Sequence, residues 1–140
     1  MSDAHNLTIC LAAPTRQEHG VYISMLLFQS NVSPKTFSKQ LLHSDELLYF
    51  TPGKGQLIFT VKGIKVPPAM CYESFQTAHT QRAHDLVVQL YVASFAKSKS
   101  GIEEASAYYL KIAETLGMSV ALVDGAWRCD GFEGAAGAAF

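Results

Sequence analysis

Short apolar runs alternate with polar, glycine- and proline-marked stretches along the whole chain. Leu7 to Ala13 is apolar and ends at Pro14, so it reads as a buried strand. Polar residues 14–20, closing on Gly20, read as a turn. Val21 to Gln29 follows as a second strand, and Ser30-Asn31-Val32-Ser33-Pro34 as the next turn. Residues 39–56 form a long loop punctuated by Pro52-Gly53 and Gly55. Gln56 to Val61 and Ile64 to Met70 then make a hairpin around Lys62-Gly63.

After residue 71 the pattern changes period. Residues 72–84 read as a helix, and Leu86 to Ala93 as an almost continuous apolar strand broken only by Gln89. Ile102, Ala105, Tyr109, Ile112, Ala113 and Leu116 share one face of a helix over 102–116. Ser100 and Glu103 have capping-box spacing at its start, and Gly117 stands where a C-terminal cap belongs. Met118 to Val123 is a further buried strand. Strand, helix, strand, helix, strand in that order predicts an α/β fold, and the scarcity of polar residues in the strands predicts cover on both sheet faces.

Composition narrows the function classes. With 140 residues the chain can build one domain with its own core, and 49% apolar against 16% charged residues exclude a disordered chain. Eleven basic and 12 acidic residues with no basic run argue against nucleic acid as a partner. No apolar stretch has membrane-spanning length, and the polar start from Met1 to Asn6 is no signal peptide. Cys10, Cys71 and Cys129 are odd in number and lack metal-site spacing, which suits a reduced, cytoplasmic setting. The five histidines are scattered. His79 and His84 lie five apart, off the i, i+4 spacing of paired helical ligands.

Three places carry candidate chemistry. Cys71 stands where a strand gives way to a helix, a position that pushes the sulfur outward and surrounds it with backbone N–H groups. A lone cysteine is otherwise a common core residue. Lys39, in Phe37-Ser38-Lys39-Gln40-Leu41-Leu42-His43, and Glu46, in Glu46-Leu47-Leu48-Tyr49-Phe50-Thr51-Pro52-Gly53, would each pass singly for a solvated surface residue.

Taken in order, these segments resemble the nitrilase superfamily of carbon–nitrogen hydrolases. Phe37 to Leu42 resembles the family's Y-x-K-x-H/L-L, Glu46 to Gly53 its E-x-x-Y-F-x-x-G, and Met70 to Phe75 its I-C-Y-E/D-x-x-F-P-E. Asp85 to Ser94 and residues 104–124 resemble the strand, helix and strand that follow, Gly131-Phe132-Glu133-Gly134 an F-x-G-x-S segment, and His5 to Ile9 the entry to an earlier strand. The sequence departs from the pattern after Phe75, where Pro-Glu is missing, at Pro67-Pro68, and at Asp124-Gly125-Ala126-Trp127.

The resemblance implies part of a four-layer α-β-β-α sandwich, incomplete at both ends, in one truncated domain over residues 1–140. It implies Cys71 as nucleophile, Lys39 as its cationic partner, Glu46 as an assisting carboxylate, and the backbone N–H of Tyr72 as an oxyanion donor. The substrate would be a small amide or nitrile, attacked by the thiol to give an acyl thioester that water then hydrolyses, with no metal and no cofactor needed. Tyr72 after the cysteine favours amidase-type substrates, since tryptophan is usual there in nitrilases. The family's general-base glutamate precedes the segment resembled by Leu7, and no glutamate here matches it by motif, so the resemblance implies impaired catalysis by this chain alone. Two other readings remain open: a non-catalytic, homo-oligomer-forming module, and an unrelated hydrolase pairing Cys71 with His79.

Overall fold

A computed structural model describes residues 5–55, 58–125, 128–129 and 132–133. The chain divides into two compact units, Met1–Leu57 and Ile58–Phe140.

The first unit is an antiparallel three-stranded sheet in the order β1-β2-β3, formed by β1 (Ile9–Gln17), β2 (Gly20–Gln29) and β3 (Val32–Ser38). Both connections are tight: Gln17 pairs with Gly20 across Glu18-His19, and Gln29 with Val32 across Ser30-Asn31. Two expected turns are therefore shorter than the prolines suggested. Pro14 lies within β1, opposite Ile23, and Pro34 within β3. Both are edge strands of this sheet, where a missing N–H donor costs no ladder bond. At Pro34 the register also shifts. Phe28 alone spans the interval that Ser33 and Pro34 span on β3, a bulge that accommodates the imino residue. The expected burial of the first strand is also corrected. As an edge strand β1 is mostly exposed, and Leu11 is 55% accessible.

The second unit begins with a hairpin, β4 (Phe59–Val61) and β5 (Ile64–Val66), turned by Lys62 and Gly63, both at positive φ, 48° and 84°. The expected strand over Ile64 to Met70 breaks at Pro67. Its second half, β6 (Pro68–Met70), instead pairs in parallel with β7 (Leu90–Phe95), which pairs in parallel with β8 (Ser119–Asp124). Pro68 is the first residue of a strand that is an edge among the described strands, a position proline tolerates. The crossovers carry α1 (Thr77–Asp85) and α2 (Lys99–Leu116), so the predicted alternation and parallel sheet are present. A short antiparallel pair, β9 (Arg128–Cys129) and β10 (Phe132–Glu133), follows. Ala126-Trp127, Gly131 and Gly134, which figured in the sequence comparison, lie outside the described residues.

Two element boundaries move for local reasons. The helix expected at 102–116 starts three residues earlier, because Ser98 rather than Ser100 is the cap: its hydroxyl accepts from Gly101 N at 3.3 Å. Gly117 closes it at φ 62°, its N–H reaching Ala113 O at 2.9 Å. The strand expected from Leu86 begins only at Leu90, because residues 86–88 end α1. Val87 N–H bonds His84 O at 2.8 Å and Val88 N–H bonds Ala83 O at 3.1 Å. That is a Schellman closure, completed by Val88 and Ala83 in the same apolar core. It places a β-branched residue, Val87, at φ 57° and 66% exposed. Left-handed geometry costs an L-residue about 1–2 kcal/mol, and glycine returns about half of that through chain entropy. Val87→Gly is therefore expected to stabilise the protein by about 0.5–1 kcal/mol, read as a higher urea midpoint at constant slope. A lower midpoint would contradict the strain.

Candidate functional site

In the first unit the sheet and the following loop immobilise Lys39. Its N–H bonds Ile23 O at 2.8 Å, continuing the β2–β3 ladder past Ser38, and its carbonyl accepts from Gly53 N at 2.8 Å. Thr51 N reaches Val21 O at 2.7 Å, so the loop folds back on the sheet. Gly53 is required by this approach, because a Cβ there would collide with the Ser38 carbonyl. The side chain of Lys39 is buried, 1% accessible, and its Nζ donates to both oxygens of Glu46, at 2.7 and 2.8 Å.

Glu46 opens a short 3-10 turn, Glu46–Leu48, and its Oε2 also accepts from His43 N at 2.7 Å. Burial by itself would raise this carboxyl. The Lys39 hydrogen bond, the His43 N–H and the nearby positive charge outweigh it and hold the group below the usual carboxylate range. Lys39 and Glu46, each unremarkable alone in the sequence, are thus brought together as a bidentate ion pair. Tyr49 is 74% accessible while Phe50 is half-buried, so of the Tyr49-Phe50 pair only the phenylalanine packs.

In the second unit Cys71 follows the buried strand β6 directly. It sits at φ 47°, a left-handed conformation without glycine, and is half-buried. The helix expected over 72–84 is two pieces, a 3-10 turn (Cys71–Phe75) and α1, separated by Gln76 at ψ 118°. The break follows from the anchoring of Phe75. Its ring lies 5.3–5.5 Å from those of Phe95, Tyr108 and Tyr109, Lys97 Nζ stands 4.7 Å from its centroid, and its carbonyl accepts from Tyr108 OH at 3.2 Å. The local field at Cys71 thus comes from the N–H groups of a single turn and not from a long helix. Tyr72 is 37% exposed beside it.

Beneath Cys71 lies a buried polar layer that the sequence pattern did not reveal. Glu73 Oε1 accepts from Met70 N at 3.0 Å. Ser74 Oγ donates to Cys71 O at 2.5 Å, and Tyr109 OH donates to Ser74 Oγ at 2.6 Å. All three side chains are at most 1% accessible. Tyr109 lies on the apolar face that spacing predicts for its helix, and its hydroxyl is the available signal, since a buried phenol requires a partner. His79, the alternative partner for Cys71, is buried and shares a 2.7 Å hydrogen bond with Tyr91 OH. Burial pushes its pKa down to about 4, so it is a neutral core residue at pH 7.

Among the described residues no group of three His, Cys, Asp or Glu side chains could hold a metal ion, and no helix is long and apolar enough to cross a membrane.

No family model and no curated protein matches the sequence. Solved structures do. A CN-hydrolase superfamily protein from Xanthomonas campestris, with an arsenic adduct in its active site, superposes with TM-score 0.85 at 18% identity, over 99% of this chain and 55% of that one. A glutamine-dependent NAD+ synthetase from Acinetobacter baumannii matches with TM-score 0.85 at 16% identity, over 96% of this chain and 27% of its own. An amidase variant from Nesterenkonia sp. AN1, carrying the acetamide moiety of fluoroacetamide on its active-site cysteine, matches with TM-score 0.81 at 14% identity, over 95% and 52%. The chain spans about half the length of the first and third of these, and about a quarter of the second. It has the fold of the carbon–nitrogen hydrolases of the nitrilase superfamily, part of an α-β-β-α sandwich.

Proposed function

We propose that the chain is a carbon–nitrogen hydrolase domain acting on a small non-peptide amide, with Cys71 as nucleophile. The observation that carries this reading is the backbone of Cys71, a non-glycine residue held at φ 47° where a buried parallel strand becomes a turn. Strain of this kind persists only where the surroundings enforce it, and it gathers at reactive positions. The motif order of the sequence and an amidase of the same fold modified on its cysteine lend further support.

In the proposed reaction Cys71 Sγ bonds to the amide carbon while the carbonyl oxygen takes up negative charge. The motif resemblance assigns stabilisation of that oxygen to Lys39 and the Tyr72 N–H, and Glu46 is paired with Lys39. The C–N bond breaks, the nitrogen leaves as ammonia or an amine with a proton, and an acyl thioester remains. Water then attacks the thioester, releasing the carboxylic acid and the thiol. A glutamate base receives the thiol proton in this scheme. None of the chain's own glutamates matches that base by motif, so slow turnover by the chain alone belongs to the proposal.

Fluoroacetamide tests the reading without requiring turnover. Fluoride is a poor leaving group, so an ordinary thiol is left unmodified while an activated one is alkylated. Peptide mapping after incubation is expected to place the label on Cys71 and not on Cys10 or Cys129, with Cys71→Ala unlabelled. Equal modification of all three cysteines, or of none, would sink the assignment.

A further inference from the structure

We propose that Tyr109 and Ser74 are positioning residues for Cys71, forming a two-bond relay from the core of the second unit to the carbonyl of the nucleophile. The inference rests on the reading of Cys71 as nucleophile and extends it to α2, 38 positions along the chain, through contacts that no sequence motif encodes.

The direction of each bond is forced by chemistry. The Cys71 carbonyl can only accept, so the single hydroxyl proton of Ser74 is committed to it, at 2.5 Å. Ser74 Oγ must then accept from Tyr109, whose own proton is committed in turn, at 2.6 Å. No other proton order satisfies this chain. Ser74 and Tyr109 are each 0% accessible, so water cannot substitute for either partner. Burial holds the Tyr109 hydroxyl above the usual phenol range, against the opposing pull of its bond to Ser74, so the donor stays protonated.

The relay answers a specific need. A left-handed cysteine must be over-determined from both sides or it relaxes. On its N-terminal side the Met70 N–H is fixed by Glu73 at 3.0 Å. On its C-terminal side the relay fixes the Cys71 carbonyl. Tyr109 is itself wedged by rings of Phe75, Phe95 and Tyr108 at 5.4, 5.8 and 4.9 Å, so the anchor is rigid. Release of the carbonyl lets the Cys71–Tyr72 peptide rotate and withdraws Sγ and the Tyr72 N–H from their presented geometry.

The experiment uses the full chain, with iodoacetamide as probe, because that reagent alkylates any accessible thiolate and reads presentation of Cys71 independently of amide chemistry. Rates at Cys71 are followed by mass spectrometry across pH, well below the melting temperature of each variant. Tyr109→Phe and Ser74→Ala are each expected to slow alkylation roughly tenfold, to move the Cys71 ¹³Cα shift out of the left-handed range, and to combine non-additively in the double variant. Where Ser74→Ala fails to fold, Tyr109→Phe, which keeps the ring, decides. An unchanged or faster rate in Tyr109→Phe with an unmoved ¹³Cα shift overturns the relay, and so does a lowered melting temperature as its only effect. Failure of fluoroacetamide labelling with these iodoacetamide effects intact would instead overturn the hydrolase reading alone.

Discussion

On the proposed reading Lys39→Met is expected to slow fluoroacetamide labelling of Cys71 by roughly tenfold or more, because the ammonium proposed to orient the reagent's amide group for attack is lost. The same substitution removes one half of an ion pair whose lysine is 1% and whose glutamate is 26% accessible. Fully buried pairs cost about 3–5 kcal/mol when one partner is lost, and the partial exposure of Glu46 reduces this to about 2 kcal/mol. Chemical and structural losses therefore arrive together and need separating. Lys39→Met/Glu46→Leu does so. Replacing both partners by apolar side chains of similar size removes the stranded carboxylate and is expected to recover most of the stability. Labelling is expected to stay slow, because the cation is still missing. Recovery of labelling along with stability in the double variant would assign Lys39 a structural role only. Glu46→Gln supplies the intermediate case. It keeps an acceptor for Lys39 and for the His43 N–H, 2.7 Å away, but removes the charge that holds the ammonium.

The parts of this molecule legible in its sequence are those that periodicity encodes. The alternation of strand and helix after residue 64, the apolar face of α2 and its glycine cap all follow from side-chain spacing, and all are present. The misplacements have a common physical origin, because each is a choice between local options that pattern alone does not rank. Two serines stood near the start of α2, and the one whose backbone is extended, Ser98, became the cap. Val87 ended α1 in a conformation for which glycine would have been the signal. Pro14 and Pro34 read as strand breakers until their strands proved to be edges, a property of the sheet rather than of the segment.

The candidate site divides in the same way. Lys39, Glu46 and Cys71 were conspicuous only as members of an ordered set of motifs. The ion pair joining the first two could not be derived from spacing, because it is closed by an irregular loop held through Gly53. Ser74 and Tyr109 were hidden for the opposite reason. Tyr109 occupies a position that reads correctly as core, Ser74 one that no pattern singles out, and their two hydroxyls meet across 35 residues of sequence.

The protein is expected to lose stability progressively as pH falls from about 6.5 to about 4, through His79. The folded-state pKa of this residue is depressed to about 4 because burial penalises the imidazolium, whereas the unfolded chain titrates near 6.5. Between those values the unfolded state binds a proton that the folded state refuses, so acidification favours unfolding. The penalty is absent above pH 6.5, grows across the interval, and reaches about 3 kcal/mol at its lower end. The cost of proton entry is local: the imidazole lies edge-on to Tyr91, 5.9 Å between centroids, and shares its Nδ1 with the Tyr91 hydroxyl at 2.7 Å. The lowered carboxyl of Glu46 acts in a different window. Its stabilisation is present above about 4.5, the ordinary value, and is lost only at more acid pH, so the two effects separate on the pH axis. His79→Gln keeps a polar partner for Tyr91 but cannot take up a proton. Urea unfolding of the native chain at pH 7.5 and pH 4.5 is expected to differ by about 2 kcal/mol or more, and the variant to show much less dependence. A native protein equally stable at both pH values would mean that His79 gains its proton without leaving the core.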